Sequence, residues 1–141
     1  MKDSPVFVDT NVFLYAILED DKHRVKRERA INLLQSLTEK DVLISTQVLN
    51  EIYSIMLRNG IEDRDIQNKL SIIIKETNVT LTRLKTIRLS WDIRLKYRFS
   101  YWDSLILAYA LENDCKLLYT EDMQDGQTID VKLKIVNPFL H

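Results

Sequence analysis

Short apolar runs alternate with longer helix-like stretches along almost the whole chain. Five runs rich in Val, Ile, Leu or Phe are predicted to be buried strands: residues 5–8, 42–45, 79–82, 116–119 and 134–136. Six intervening stretches are predicted to be helices: residues 11–18, 24–37, 46–59, 62–76, 84–97 and 102–113. Alternating strands and helices predict an α/β domain, with a mainly parallel central sheet between two helical layers in an α/β/α arrangement.

The length of 141 residues predicts a single domain spanning residues 1–141. The hydrophobic share of 45% is normal for a soluble globular protein. No stretch approaches the roughly 20 apolar residues of a membrane span, so no membrane association is expected. The first residues do not resemble a signal peptide, and the lone Cys115 fits a reducing compartment, so a cytoplasmic location is expected.

Rare residue types exclude several kinds of site. With only Gly60 and Gly126, the chain cannot form a glycine-rich phosphate-binding loop or a dinucleotide-binding fingerprint. One cysteine excludes a disulfide framework and a zinc site made of thiolates. His23 and the terminal His141 are the only histidines, so any chemistry is expected to depend mainly on carboxylates.

Four carboxylates occupy positions of interest. Asp9 and Asp122 each follow a predicted strand, and ligands of parallel sheets bind beyond such strand ends. Glu51 lies at the edge of an apolar helical stripe, and Asp103 lies in the first turn of the most apolar helix. Each also has an ordinary explanation, because Asp9 suits a helix cap, Asp122 a polar turn, Glu51 a side chain reaching to water, and Asp103 a helix dipole.

Convergence of these acids would have a chemical consequence. Like charges at close range raise one another's pKa and destabilise the fold unless they are protonated or neutralised. Oxygen ligands without His or Cys favour Mg²⁺ or Mn²⁺ over zinc.

Four segments together resemble the acidic motifs of PIN-domain nucleases. They are residues 8–12 (VDTNV), 47–51 (QVLNE), 101–106 (YWDSLI) and 118–124 (LYTEDMQ). Their order, spacing and strand or helix context agree from about residue 6 to 137. The residue sequences of the last two segments are most similar to those of VapC-type toxins of toxin–antitoxin pairs.

The resemblance implies a Mg²⁺- or Mn²⁺-dependent endoribonuclease with a PIN-like fold, the toxin of a type II toxin–antitoxin pair. It also implies a homodimer and a cognate, VapB-like antitoxin whose C-terminal segment covers the acidic groove. The residues that match the catalytic and metal-binding quartet and its supporting polar residues are Asp9, Glu51, Asp103 and Asp122, with Asn11 and Thr120.

Basic residues cluster in two segments that could bind RNA. Residues 22–29 hold five Lys or Arg against one Glu, and residues 83–98 hold six against one Asp, in a chain of net charge −1. Within the first segment, the candidate substrate-binding residues are Arg24, Lys26 and Arg27. The alternative is that both segments are solvated helix faces. Tyr101 and Trp102 could stack on bases, although we expect Trp102 to cover the sheet edge.

Other classes of function remain open at this point. The main alternative is a non-catalytic PIN-like module that binds RNA or protein and holds metal too weakly to act. A haloacid-dehalogenase-like phosphatase also begins with a strand-end Asp, but it requires a second Asp where this chain has Asn11. A phosphoacceptor receiver domain would require an acidic neighbour for Asp9.

Overall fold

The computed structural model describes residues 4–140, so residues 1–3 and His141 lie outside the described part of the chain. The helices are α1 (Thr10–Ile17), α2 (Arg24–Ser36), α3 (Thr46–Arg58), α4 (Asp63–Glu76), α5 (Leu84–Tyr97) and α6 (Tyr101–Glu112). None of the helices described in residues 4–140 has the length and apolar character that crossing a bilayer requires.

The strands are β1 (Val6–Val8), β2 (Val42–Ser45), β3 (Asn78–Thr80), β4 (Leu117–Tyr119), β5 (Thr128–Ile129) and β6 (Leu133–Val136). All five predicted strands and all six predicted helices are present, most with ends within one or two residues of the prediction. Two short elements were not predicted: β5, and a 3₁₀ helix over Asp21–His23 between the first two predicted helices.

The six strands form one sheet in the order β3-β2-β1-β4-β6-β5. Every neighbouring pair is parallel except β5 with β6, which is antiparallel. The predicted α/β/α architecture with a mainly parallel sheet is therefore confirmed. The strand order reverses between β1 and β4, and such a switch point opens a crevice at the carboxyl ends of the two strands.

The helices pack in groups against the sheet. Helix α1 packs against α2 and α3, α3 packs against α4, and α5 packs against α6. Residues 104–110 of α6 are all buried, which agrees with its being the most apolar helix in the sequence. The Tyr109 ring stacks on Phe7 of β1 with their centroids 6.2 Å apart, and this contact holds α6 beneath the central strand.

Polar side chains fix the starts of the helices near this edge of the sheet. Asp9 caps α1, directly after β1. Ser45, the last residue of β2, caps α3 because its hydroxyl accepts a hydrogen bond from the Val48 N–H at 3.2 Å. Ser100 caps α6 in the same way. The helix that follows Asp9 and the helices that carry Glu51 and Asp103 therefore begin at defined positions.

Candidate active site

Asp9 lies at the switch point, buried between β1 and α1 with 6% of its surface exposed. Its Oδ1 accepts a hydrogen bond from the Thr10 N–H at 2.7 Å, so it is the helix cap that the sequence allowed. Its Oδ2 accepts a second hydrogen bond, from the Thr120 hydroxyl at 2.8 Å. The carboxylate is therefore held from two different strand ends.

Thr120 joins the first and fourth acidic segments. Besides donating to Asp9, its Oγ1 accepts a hydrogen bond from the backbone N–H of Asp122 at 3.2 Å. The Asp122 carboxylate in turn accepts from the Asn11 amide at 3.1 Å. Thr120 and Asn11 therefore hydrogen-bond to the two strand-end acids and limit their orientations.

Glu51 of α3 turns towards the same edge. Its Oε2 accepts a hydrogen bond from the Thr10 hydroxyl at 2.7 Å, and its Oε1 accepts one from the Gln47 amide at 2.8 Å. The alternative that Glu51 merely reaches out to water is therefore wrong.

Asp103 lies in the first turn of α6, half-buried. Its backbone N–H donates to the Ser100 hydroxyl at 3.2 Å. Burial raises the pKa of its carboxyl, and the charges of Asp122 and Glu51 raise it further. The hydrogen bond with Ser100 lowers the pKa but does not outweigh these effects.

The four acids are coupled electrostatically. Burial raises the pKa of Asp9 from 3.8 to about 6, and the charges of Asp122 and Glu51 add to this rise against the hydrogen bonds that Asp9 accepts. Burial also raises the pKa of Asp122, as do the charges of Glu121 and Glu51. Since the charge of one acid perturbs another 19 to 113 residues away in sequence, the fold brings all four together at one crevice.

The site also contains a polar atom without a partner. Within residues 4–140, the buried Asn11 Oδ1 has no hydrogen-bond partner. Among the same residues, no three or more Asp, Glu, His or Cys side chains are grouped so as to hold a metal ion. The acids thus share a crevice without forming a closed set of direct ligands.

The three basic candidates have different surroundings. Lys26 pairs with Glu121 at 2.8 Å, beside Asp122. Arg27 lines a separate cavity bounded by α1, α2 and α4. Arg24 is exposed on α2. Only Lys26 is held close to the acids, and its charge lowers the pKa of Asp122.

The expectation that Trp102 covers the sheet edge is wrong. Its side chain is 63% exposed, and it packs edge-to-face on Tyr101, which is 38% exposed. The first turn of α6 is thus largely exposed, and the buried part of this helix begins at Ser104.

Sequence reasoning missed several residues of the site. Gln47 precedes Glu51 by four residues on a predicted helix, and that spacing could have identified the pair. Thr10 lies inside the first motif between two residues that were identified. No local signal marks the contact between Tyr15 and Glu121, where the Tyr15 hydroxyl donates at 2.6 Å across 106 residues.

Comparison with known proteins gives a family and a fold. The model of the PIN domain family matches residues 6–124, which is most of the chain. No curated protein sequence matches the chain well enough to count as a relative.

Several solved structures are similar. A chain of a toxin–antitoxin complex from Klebsiella pneumoniae is 18% identical with a TM-score of 0.70, over 94% of this chain and 97% of that one. Mycobacterium tuberculosis VapC20, a toxin that cleaves the sarcin–ricin loop, is 17% identical with a TM-score of 0.64, over 83% and 91%. A chain of Rickettsia felis VapBC2 bound to a promoter DNA fragment is 21% identical with a TM-score of 0.68, over 94% and 99%. At these identities the likeness concerns the fold.

Proposed function

The chain belongs to the PIN domain family, and we propose that it is a Mg²⁺- or Mn²⁺-dependent endoribonuclease, the toxin of a type II toxin–antitoxin pair. PIN domains are typically nucleases. The observation that carries the proposal is that hydrogen bonds group Asp9, Glu51 and Asp122 at the switch point of the sheet. Asp103 lies near enough for the charges of Asp122 and Glu51 to raise its pKa. The similarity of the fold to VapC20, an RNA-cleaving toxin, supports the same conclusion.

The residues present fit a hard divalent cation. The donor set consists of carboxylate oxygens, which Mg²⁺ and Mn²⁺ prefer, and the unpartnered Asn11 Oδ1 adds an oxygen that a cation-bound water could satisfy. Because the acids do not form a closed set of direct ligands, we propose that some of the four hold the ion through water. A bound ion lowers the pKa of water and offsets charge on phosphoryl oxygens.

The protein's own residues prepare the site for hydrolysis. Asp9 is fixed by two hydrogen bonds, and Thr120 and Asn11 hold the strand-end acids in register. Hydrolysis with water as nucleophile breaks the bond to the 3′ oxygen and leaves 5′-phosphate and 3′-hydroxyl ends. The mechanism does not require the 2′-hydroxyl of RNA, so the choice of RNA over DNA rests on the family.

Incubation of the purified protein with structured RNA and Mg²⁺ tests the proposal. We expect cleavage that stops with EDTA and yields 5′-phosphate ends. Cleavage that continues in EDTA, or that leaves cyclic phosphates, would contradict the proposed reaction. An intact substrate would favour the alternative of a non-catalytic binding module.

Replacing Thr120 by Val should weaken both the fold and the reaction. The change removes a buried hydroxyl that serves Asp9 and the Asp122 N–H, and unpairing buried groups costs about 1–3 kcal/mol. We expect the free energy of unfolding in urea to fall by that amount and the cleavage rate to fall about tenfold or more. Thr120→Ser keeps the hydroxyl and is the matched control; equal behaviour of the two variants would contradict the positioning role.

An antitoxin partner is part of the proposal. A groove of about 560 Å³ lies between α1, α2 and α4, and it is lined by apolar residues such as Phe13, Ile17 and Ile72 together with charged ones such as Arg27 and Glu76. Its lining on α1 runs from Phe13 to Ile17, which is about 5–10 Å along the helix axis from Thr10 beside the acids. We propose that an antitoxin segment packs in this groove and extends a Lys or Arg to the carboxylates. This proposal is tested by measuring whether the protein binds a small DNA-binding protein that is encoded beside it.

A homodimer is also proposed, and α5 offers a surface for it. Leu84, Trp91 and Leu95 lie on one face of α5 and are more than half exposed. An exposed apolar stripe of this kind marks a contact surface.

Replacing Leu95 by Lys is therefore expected to convert a dimer to a monomer in light scattering. Val25→Lys, at an exposed position on α2, is the matched control and should leave the dimer intact. A monomeric wild type, or a Leu95→Lys variant that remains a dimer, would contradict the proposal that this face of α5 forms the dimer interface.

A further inference from the structure

A second cavity, which we call the aromatic pocket, adjoins the acidic crevice. It is formed between α3, α5 and α6 and has a volume of about 600 Å³, which lies within the usual range of ligand sites. Glu51 belongs to both places, because it lines the pocket and its charge also raises the pKa of Asp103. Anything bound in the pocket therefore lies directly beside the acids.

Aromatic rings form the open wall of the aromatic pocket. Tyr101 and Trp102 line it, pack edge-to-face with centroids 5.4 Å apart, and remain exposed. Exposed aromatic rings beside a nucleic-acid site serve as stacking platforms, because every base has a π-face. The wall thus suits a flat, apolar ring.

Amide groups form the opposite, polar side of the pocket. Gln47 donates its amide N–H to Glu51, which fixes the direction of the amide. Within residues 4–140, the Gln47 Oε1 is buried and has no hydrogen-bond partner. A buried acceptor without a donor is costly, and an N–H of a ligand would satisfy it. Asn50 lines the same side and adds an exposed amide.

The charge of the pocket argues against other occupants. Among the described residues that line it, Glu51 is the only charged one, so the pocket does not attract a phosphate. The dimer stripe of Leu84, Trp91 and Leu95 is not part of its lining, so a second copy on α5 need not fill it. A neutral ring with N–H donors matches the aromatic wall, the amide side and the lack of positive charge. Such a ring could belong to a nucleic-acid strand that crosses the acids.

We propose that the aromatic pocket binds an unstacked nucleobase of the RNA strand, beside the phosphate that the acids face. The base stacks on Trp102 and Tyr101, and one of its N–H groups donates to the Gln47 Oε1. Such binding requires an unpaired base, so the protein selects loops and single strands over duplexes. The inference rests on the proposed function for the identity of the strand, but base binding itself requires no cleavage.

Fluorescence of Trp102 tests the proposal without metal. The chain has two tryptophans, so Trp91→Phe leaves Trp102 as the only reporter, and Trp102→Phe leaves Trp91 as the matched control. In EDTA, we expect a single-stranded RNA to quench the first variant saturably and the second not at all. An abasic strand of the same length should not quench Trp102. In anisotropy, Trp102→Ala should weaken RNA binding about fivefold or more.

Other results would overturn the proposal. Equal quenching by the abasic strand would mean that only backbone charge is sensed, and RNA that binds without quenching Trp102 would place the base elsewhere. Trp102 emission that changes on protein dilution but not with RNA would mean that a second copy covers the pocket. The two proposals can fail separately. Quenching of Trp102 without any cleavage in Mg²⁺ would reject only the proposed nuclease activity. Cleavage that is unchanged by abasic nucleotides and by Trp102→Ala would reject only base binding in the aromatic pocket.

Discussion

Replacing Asp9 by Asn is expected to reduce RNA cleavage about 100-fold or more while the protein stays folded. The Asn oxygen can still accept from the Thr10 N–H, and its amide can donate to the Thr120 hydroxyl, so both contacts that hold position 9 survive in altered form. What the variant loses is the buried negative charge, which is the property that we assign to metal binding.

The same variant should be more stable than the wild type above pH 6. A buried carboxyl whose pKa is raised from 3.8 to about 6 destabilises the charged folded state by about 3 kcal/mol. Asn removes this penalty, so we expect the melting temperature of metal-free protein at pH 8 to rise by several degrees. A gain in stability together with a loss of activity is typical of a residue kept for function.

Asp92→Asn is the matched control because it removes one negative charge from an exposed position on α5. It should change neither cleavage nor melting temperature. Cleavage by Asp9→Asn at the wild-type rate would contradict the role of Asp9. Asp122→Asn offers a second variant at the facing strand end, and we expect it to lose activity as well.

The stability of the metal-free protein should fall as the pH rises from about 4 to about 6. Between the unfolded pKa of 3.8 and the folded pKa of about 6, Asp9 holds its proton in the folded state only. The unfolded state then binds fewer protons, so the free energy of unfolding decreases with pH in this window. The raised pKa values of Asp103 and Asp122 act in the same direction.

A divalent ion should reverse this trend. Mg²⁺ or Mn²⁺ favours ionised carboxylates, so we expect it to raise the melting temperature strongly at pH 8 and little at pH 4.5. Thermal melts of wild type and Asp9→Asn at both pH values measure the effect.

The exposed Asp20 and Asp130, whose pKa values are lowered by hydrogen bonds from His23 and Tyr97, contribute to the pH dependence of stability with the opposite sign. They are present in both proteins, so the difference between the proteins isolates Asp9. Equal metal-induced shifts at the two pH values, or in the two proteins, would contradict the linkage.

The sequence predicted most of the fold because its signals are local. Short apolar runs bounded by polar residues gave the five longer strands, and helix-like patterning gave the helices. Strand β5 was missed because it has two residues and because the turn after it lacks the usual turn chemistry. Asp130 and Val131 adopt positive φ there, which is unusual for a β-branched residue.

The site was predictable only in part, because contacts between residues far apart in sequence leave no local signal. Asp9 and Asp122 were identifiable because parallel strands carry ligands at their carboxyl ends. The sequence alone could not show that Thr120 bridges them, although the family resemblance implied its supporting role. The exposure of Trp102 was mispredicted because hydrophobicity alone does not tell a buried ring from one kept at the surface for contact.

Calorimetric titration of Mn²⁺ into the wild type and into Asp103→Ala tests most directly whether the acids act together on one cation. Asp103 comes from α6 and is separate from the hydrogen bonds that fix Asp9. We predict saturable binding by the wild type at pH 8 and binding at least about tenfold weaker by the variant, with circular dichroism showing that both are folded. Equal affinity of the two proteins, or a wild type that does not bind Mn²⁺ at millimolar concentration, would contradict a shared cation site at this edge of the sheet.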